Sequence, residues 1–346
     1  MISESGQVKY RRIVVDQFGG PEVMRVIEDE LVAPAGAQAR VKVLAADVSF
    51  SDVNVRRGRY PGGPKPPFTP GYAMVGVVDA LGPEAFSSAV GTLVAALTFY
   101  GSYSQYVWLP VEELVPVPAG SDPAEAVTLV LSYVSAYQML HRIAHVQAGQ
   151  RILVHGAAGG VGTAFLELAR LARLGAYGTA SKPKHGLVSR LGATPIDYRS
   201  EDFVERIASL TSGTGVDSAF DAIGSAHLRL SIKAVRKGGT VVAYGFYEAA
   251  NRGRSVLLDV LTQYLQLALW SLPPVRKHVA FYDIRAEKRK HPEWLKEDLT
   301  DLLRLLAEGR LKPVVAGRLR LEDAIRAHQR IERADVEGKL VLVPNA

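Results

Sequence analysis

Apolar and polar positions follow two different rhythms along this chain of 346 residues, and the change falls near residue 120. Before it, short β-branched runs dominate: RRIVVDQFG from Arg11, VMRVIEDEL from Val23 and ARVKVLAADVS from Ala39. Gly and Pro separate them, which predicts strands joined by turns. Gly71 to Val78 reads as another strand with glycines at close approaches, and YGSYSQYVWLP (100–110) returns to strand-like alternation. Between these, Arg57 to Pro70 is dense in Pro and Gly and reads as an ordered loop or a flap carrying two aromatics, Tyr60 and Phe68.

After Pro118 the period lengthens. Asp122 caps a helix with Pro123 at its first position and Glu125 in its first turn, and the apolar helix runs on to Ala144. RILVHGAAGGVGTAFLELARLARLGAYGTAS (151–181) then reads as a strand, a glycine turn, a helix and a second strand. VDSAFDAIG (216–224) and GGTVVAYGF (238–246) supply buried strands at α/β spacing. Glu297 to Glu308 is an amphipathic helix stopped by Gly309, and GKLVLVP (338–344) is a final strand. The pattern predicts an α/β protein of two domains, which the length also favours.

Composition narrows the function. Hydrophobic residues at 48% and charged residues at 22% are ordinary globular usage. The net charge of +6 comes from basic residues interleaved with acidic ones, which suits an anionic ligand without indicating nucleic acid. Cysteine is absent, which excludes disulfides, a thiol nucleophile and thiolate-ligated zinc. The first residues lack the apolar core of a secretory leader. Val256 to Leu272 is the most apolar stretch, but Asp259, Gln263, Gln266 and the closing Pro273-Pro274 argue against stable membrane insertion and for a buried or dimer-facing helix. A cytoplasmic protein is expected.

The strongest local signal is His155-Gly156-Ala157-Ala158-Gly159-Gly160-Val161-Gly162, set between an apolar strand and the helix from Thr163. Ala157, Gly159 and Gly162 keep the small-residue spacing of a dinucleotide turn. The first permits a tight turn, Gly159 lets amides reach a pyrophosphate, and Gly162 lets helix and strand pack closely. An NAD-type site needs an acid about 20 residues further on for the ribose hydroxyls. None follows Glu167 until Asp197; the place holds Ser181, Lys182 and Lys184, which suit a phosphate and predict NADPH. Tyr198 reads either as a further contact to that phosphate or as a packing side chain.

These residues resemble the medium-chain dehydrogenase/reductase superfamily, in its zinc-independent quinone oxidoreductase-like branch. The marks are Phe50-x-Asp52-x-x-x-Arg56-x-Gly58-x-Tyr60, Pro70-Gly71, AAGGVG at 157–162, Ile196-Asp197-Tyr198-Arg199, Phe220-Asp221-Ala222-Ile223-Gly224 and the closing GKLVLVP. The resemblance covers nearly the whole chain. It implies a GroES-like β-rich catalytic domain from 1–130 and 275–346, a Rossmann doubly wound parallel sheet in 131–274, an active site in the cleft between them, and a homodimer. It also implies that the backbone of Ala158, Gly159, Gly160, Val161 and Gly162 holds the pyrophosphate, and that Ser181, Lys182 and Tyr198 meet the 2′-phosphate. Ala222, Ile223, Gly224, Gly245 and Phe246 would lie beside ribose and nicotinamide, with Ser135 where the family often has threonine. Tyr60 and Asp52 match substrate-pocket positions. Two departures stand out: Ser49 replaces a frequent Asn, and Ala73-Met74 stand where relatives often carry an acid.

Without a metal, a conjugated acceptor is easier to reduce than a simple aldehyde, because the ring or enolate spreads the incoming charge. The expected reaction is hydride transfer from NADPH to a quinone or an α,β-unsaturated carbonyl, a small-molecule substrate. Tyr60 is the expected proton or hydrogen-bond donor, with Ser49 beside it, and Asp52 is expected to orient backbone or Arg56. An enoyl-thioester reductase and a non-catalytic NADPH-binding interaction protein are the alternatives. His141, His145, His155 and His227 show no ligand pattern and are expected at surface or hinge positions. Arg285 to His291 reads as a solvated basic loop.

Overall fold

The computed structural model describes residues 8–60, 62–86, 88–245 and 277–345. The chain divides into two compact units, Met1–Ser132 with Lys296–Ala346, and Tyr133–Leu295.

In the first unit β1 (Lys9–Val15) and β2 (Met24–Glu30) form an antiparallel pair. β3 (Gln38–Val48) shows why the alternating runs become strands: Ala39, Val41 and Val43 are buried while Lys42 between the last two is exposed. α1 (Phe50–Arg56) follows, then β4 (Ala73–Leu81), β5 (Leu93–Leu97), β6 (Tyr106–Pro110) and β7 (Val115–Pro116). Phe68 anchors the Pro/Gly loop, exchanging backbone hydrogen bonds with Val15, so this end of the loop is tied down. α2 (Pro123–Thr128) begins at the Asp122 cap, where the side chain accepts from the Ala124 amide at 2.9 Å. The long helix expected through Ala144 is interrupted: π-helical turns at Leu129–Tyr133 and Gln138–Ile143 flank the short α3 (Val134–Tyr137).

The second unit is built on a six-stranded sheet. β8 (Arg151–His155), α4 (Gly160–Leu171), β9 (Gly175–Ala180), α5 (His185–Arg190) and β10 (Thr194–Asp197) run to one side. α6 (Phe203–Leu210), β11 (Val216–Asp221), α7 (Ser225–Ala234), β12 (Val235–Ala243) and β13 (His278–Phe281) run to the other. The order β10-β9-β8-β11-β12-β13 is parallel throughout, with the reversal between β8 and β11. Such strands are covered on both faces, which accounts for the unbroken apolar Ile152-Leu153-Val154, all fully buried. Helix residues Phe203, Ile207, Leu228 and Ile232 pack against Leu153, Ile196 and Ala219 of the sheet.

The chain returns through α8 (Ile284–Lys290) and α9 (Pro292–Ala307) to β14 (Val315–Arg320), α10 (Ala324–Glu332) and β15 (Lys339–Val343). β15 pairs with β3 and closes the seven-stranded sheet β14-β15-β3-β4-β5-β7, with β6 also on β3. Three expectations change. The return boundary falls at 295/296 instead of 274/275, because β13 pairs parallel with β12 as the sixth strand. The basic run 285–291 is not a loop: Asp283 caps it, accepting from the amides of Arg285 and Ala286, and it forms α8. The helix assigned from Glu297 begins earlier, at Pro292. The apolar stretch 256–272 lies outside the described residues, and among those described no helix is long and apolar enough to cross a membrane.

Candidate functional site

The carboxyl ends of β8, β9 and β11 meet at the reversal of strand order, where open α/β sheets bind ligands. β8 leads into the glycine turn, whose Ala157 amide donates to Thr179 O of β9 at 3.0 Å. α4 starts at Gly160 behind Gly159, an N-cap with no side chain to satisfy the first amides. Twelve residues of helix thus present donors and a positive dipole end with no internal acceptor, which suits an anion. Gly162 has no room for more: a Cβ there would lie 2.3 Å from Gly156 O and 2.7 Å from Ala157 Cα. A dinucleotide's pyrophosphate fits these features.

Ser181 follows β9 directly and caps a short turn over Lys182–Lys184. β10 lies beside β9 with Asp197 opposite Ala180, so Tyr198 leaves its strand level with Ser181. Tyr198 is exposed at 52%, which favours the ligand-contact reading over the packing one. The Arg199 guanidinium lies 5.8 Å from its ring centroid and adds a cation that the sequence reading had not included among the site residues. Asp197 does not serve as an acid for a ribose: it accepts from the Arg199 amide and the Ser200 hydroxyl, which hold its carboxyl below the usual range.

At the end of β11, Asp221 is fully buried. Its Oδ1 accepts from the amides of Ile223 at 2.8 Å and Gly224 at 3.0 Å, fixing the turn expected beside ribose and nicotinamide. Its Oδ2 accepts from His227 Nδ1 at 2.9 Å and from the Ser231 hydroxyl at 2.5 Å. Ser231 Oγ is 3.1 Å from His155 Nε2, and His155 Nδ1 is 3.0 Å from Thr179 Oγ1. One hydrogen-bonded chain therefore ties the ends of β9, β8 and β11. Burial pushes His155 down to about 3, so it is neutral. For Asp221 burial pulls upward, but the His227 bond and the neighbouring imidazoles outweigh it and the carboxyl stays below its ordinary range. His155 and His227 are thus not isolated surface or hinge residues. With Asp221 they offer ligand atoms within 4.8 Å of one another, a set able to hold a cation, and hydrogen bonds to one another, Ser231 and Thr179 engage four of those atoms. Their separation in sequence hid them. Gly245 packs on this turn, a Cβ there falling 2.5 Å from Ala222 O. Ser135 is buried in α3. Phe246 lies outside the described residues.

The first unit gathers Ser49, Asp52 and Tyr60. Ser49 caps α1 and closes a capping box: its hydroxyl is 2.6 Å from Asp52 Oδ2, its amide donates to the same oxygen at 2.9 Å, and the Asp52 amide donates back to Ser49 Oγ at 3.2 Å. Asp52 Oδ1 accepts from the Gly71 amide at 3.0 Å. Asp52 therefore orients backbone, and not Arg56. Burial, then the nearby Asp47, push its carboxyl up to about 7. Asp47 is itself paired with Lys339 at 2.6 Å. Arg56, fully buried, pairs with Glu332, donates to Gly19 O at 3.2 Å and lies 3.2 Å from His328 Nδ1. His328 is kept neutral by burial and by the guanidiniums of Arg56 and Arg57. Tyr60 is half-buried, its ring edge-to-face with Tyr72 at 6.1 Å.

Residues 35–119 match the alcohol dehydrogenase GroES-like domain, and residues 191–342 match the model described as zinc-binding dehydrogenase. Quinone oxidoreductase of Pongo abelii is 28% identical, covering 98% of this chain and 99% of that one. The synaptic vesicle membrane protein VAT-1 homolog of Danio rerio is 28% identical, covering 98% of this chain and 71% of that protein. Escherichia coli quinone oxidoreductase, solved in complex with NADPH, superposes with a TM-score of 0.85 at 27% identity, covering 96% of this chain and all of the other.

Proposed function

Since the chain belongs to the medium-chain dehydrogenase/reductase superfamily, in its zinc-independent quinone oxidoreductase-like branch, we propose that it is an NADPH-dependent reductase of quinones or α,β-unsaturated carbonyls. The observation that carries the reading is the uncapped start of α4 behind a glycine turn, with Lys182, Lys184 and Arg199 close in sequence to Ser181 and Tyr198 and no acid offered to a ribose.

In this reading the amides from Ala158 to Gly162 hold the pyrophosphate, and Ser181, Lys182, Lys184 and Tyr198 hold the 2′-phosphate. Ser135, the turn Ala222–Gly224, Gly245 and Phe246 border ribose and nicotinamide. When bound, the reduced nicotinamide supplies the hydride. Tyr60 donates a hydrogen bond, then a proton, to the oxygen on which enolate or quinol charge develops, and Ser49 donates beside it. Asp52 acts as a positioning residue: it fixes the Ser49 hydroxyl and the Gly71 amide. The substrate is a small molecule, and a homodimer in the cytoplasm remains the expected setting.

The test is oxidation of NADPH, beside NADH, with a panel of quinones, enones and enoyl thioesters. Turnover of the first two with NADPH supports the reading, and a preference for NADH overturns the role given to the lysines. Turnover confined to thioesters reassigns the substrate, and tight NADPH binding with no turnover leaves a non-catalytic binding protein. A Tyr60→Phe variant with full activity would remove the donor role while leaving Tyr60 a pocket contact.

A further inference from the structure

Around Tyr60 the first unit assembles five aromatic rings that the sequence shows only as scattered positions. Tyr72 is buried at the centre. Tyr60, Phe99 and Tyr100 stand edge-to-face against it, with centroids at 6.1, 5.6 and 6.3 Å, and Phe68 meets Tyr100 at 6.4 Å. Tyr60, Phe99 and Tyr100 keep part of their surface exposed.

Phe99 has a φ of 60°, in the left-handed region that a bulky side chain avoids. The surrounding backbone imposes it. The amides of Thr98 and Phe99 both donate to Tyr72 O, at 2.9 and 3.1 Å, and the Gly101 and Tyr103 amides return to Thr69 and Pro70. A glycine would take this conformation without cost, yet the position carries a half-exposed ring. Strained residues held by over-determined surroundings cluster at functional sites. The same turn is wired to the candidate site. Thr98 Oγ1 donates to Gly71 O at 2.8 Å, and the Gly71 amide donates to Asp52, which holds Ser49. Phe99, Tyr100, Tyr60 and Ser49 therefore belong to one preorganised constellation.

We propose that Phe99 and Tyr100 determine the acceptor class, favouring a carbonyl fused or conjugated to an arene, such as a bicyclic quinone or an aryl enone, over an aliphatic enone or enoyl thioester. The inference rests on the reductase reading. Fixed ring edges and faces match a second flat ring in offset or edge-to-face contact, while an aliphatic chain gains only buried area from them. Because the hydrogen bonds already hold Phe99, little ordering remains when the acceptor arrives.

The experiment compares kcat/KM with NADPH for 1,4-naphthoquinone and for 2-cyclohexenone, in the wild type and in Phe99→Leu, Tyr100→Leu, Phe99→Tyr and Phe99→Gly. The two leucine variants should lower the naphthoquinone-to-cyclohexenone ratio by roughly tenfold each, and Phe99→Tyr should keep it. Phe99→Gly should lower the ratio with no loss of melting temperature, since it relieves the left-handed strain; this separates specificity from folding. A ratio unchanged in the leucine and glycine variants, with turnover intact, overturns the inference alone. No turnover of any acceptor by the wild type overturns the reductase reading, and the inference with it.

Discussion

Replacing Gly162 with alanine adds one carbon where the structure has no space. The new Cβ would sit 2.3 Å from Gly156 O, and 3.0 Å is the shortest approach that real Cβ atoms keep, so helix and turn must part by about 0.7 Å. Both neighbours are backbone, so no side chain can swing aside. Overpacking of this kind costs about 1–3 kcal/mol. Alanine returns about 1 kcal/mol of helix propensity inside α4. The net expectation is a loss of about 1 kcal/mol, or roughly 2–4 °C in melting temperature. The larger effect falls on NADPH, since the displaced amides are the proposed pyrophosphate donors. Losing one or two hydrogen bonds to a charged group at about 1.5–3 kcal/mol each weakens binding by roughly tenfold to several hundredfold. Gly186→Ala is the control: in α5 its Cβ would meet only Arg190 Nη1 at 3.9 Å, so the same exchange should stabilise slightly and leave binding alone. Calorimetric titration with NADPH and a thermal melt of both variants are the assays. If Gly162→Ala melts higher than the wild type and binds NADPH equally well, the argument that this glycine sets the site is refuted.

Lys182→Ala should raise the dissociation constant for NADPH by roughly three- to tenfold and leave NADH unchanged, with the difference shrinking as salt is raised; fluorescence titration at two ionic strengths measures it. Glu332→Gln removes the carboxylate partner of a fully buried guanidinium and should cost about 2–4 kcal/mol, read as a fall in urea midpoint at constant slope. Asp52 binds its proton more tightly folded than unfolded, so its contribution to stability is complete below about pH 4 and is lost as pH rises through about 7. Asp52→Asn should flatten that decline, which is at most about 4 kcal/mol, and unfolding curves from pH 4 to 8 that run parallel for the two proteins would contradict it.

What the sequence determined by itself was whatever lies contiguous in it. The run from Arg151 to Ser181 contains a strand, a turn and a helix whose own residues impose the geometry: β-branched and apolar positions for β8, glycines where the backbone must come close, and an absent cap that leaves the amides open. The Ser49–Asp52 capping box was likewise within reach, three residues apart. Tertiary structure alone decided what depends on strand order. His155, Asp221 and His227 look unrelated until β8 and β11 become neighbours and bring them within 4.8 Å. Tyr60, Tyr72 and Phe99 become one cluster only because hydrogen bonds from the 98–103 turn fold it back over residues 69–72. The later domain boundary has the same origin, since a four-residue strand declares its side only when it finds β12 beside it. Local propensity and close packing act over one or two turns of chain, and the pairing of distant strands is fixed by the burial of the whole sheet.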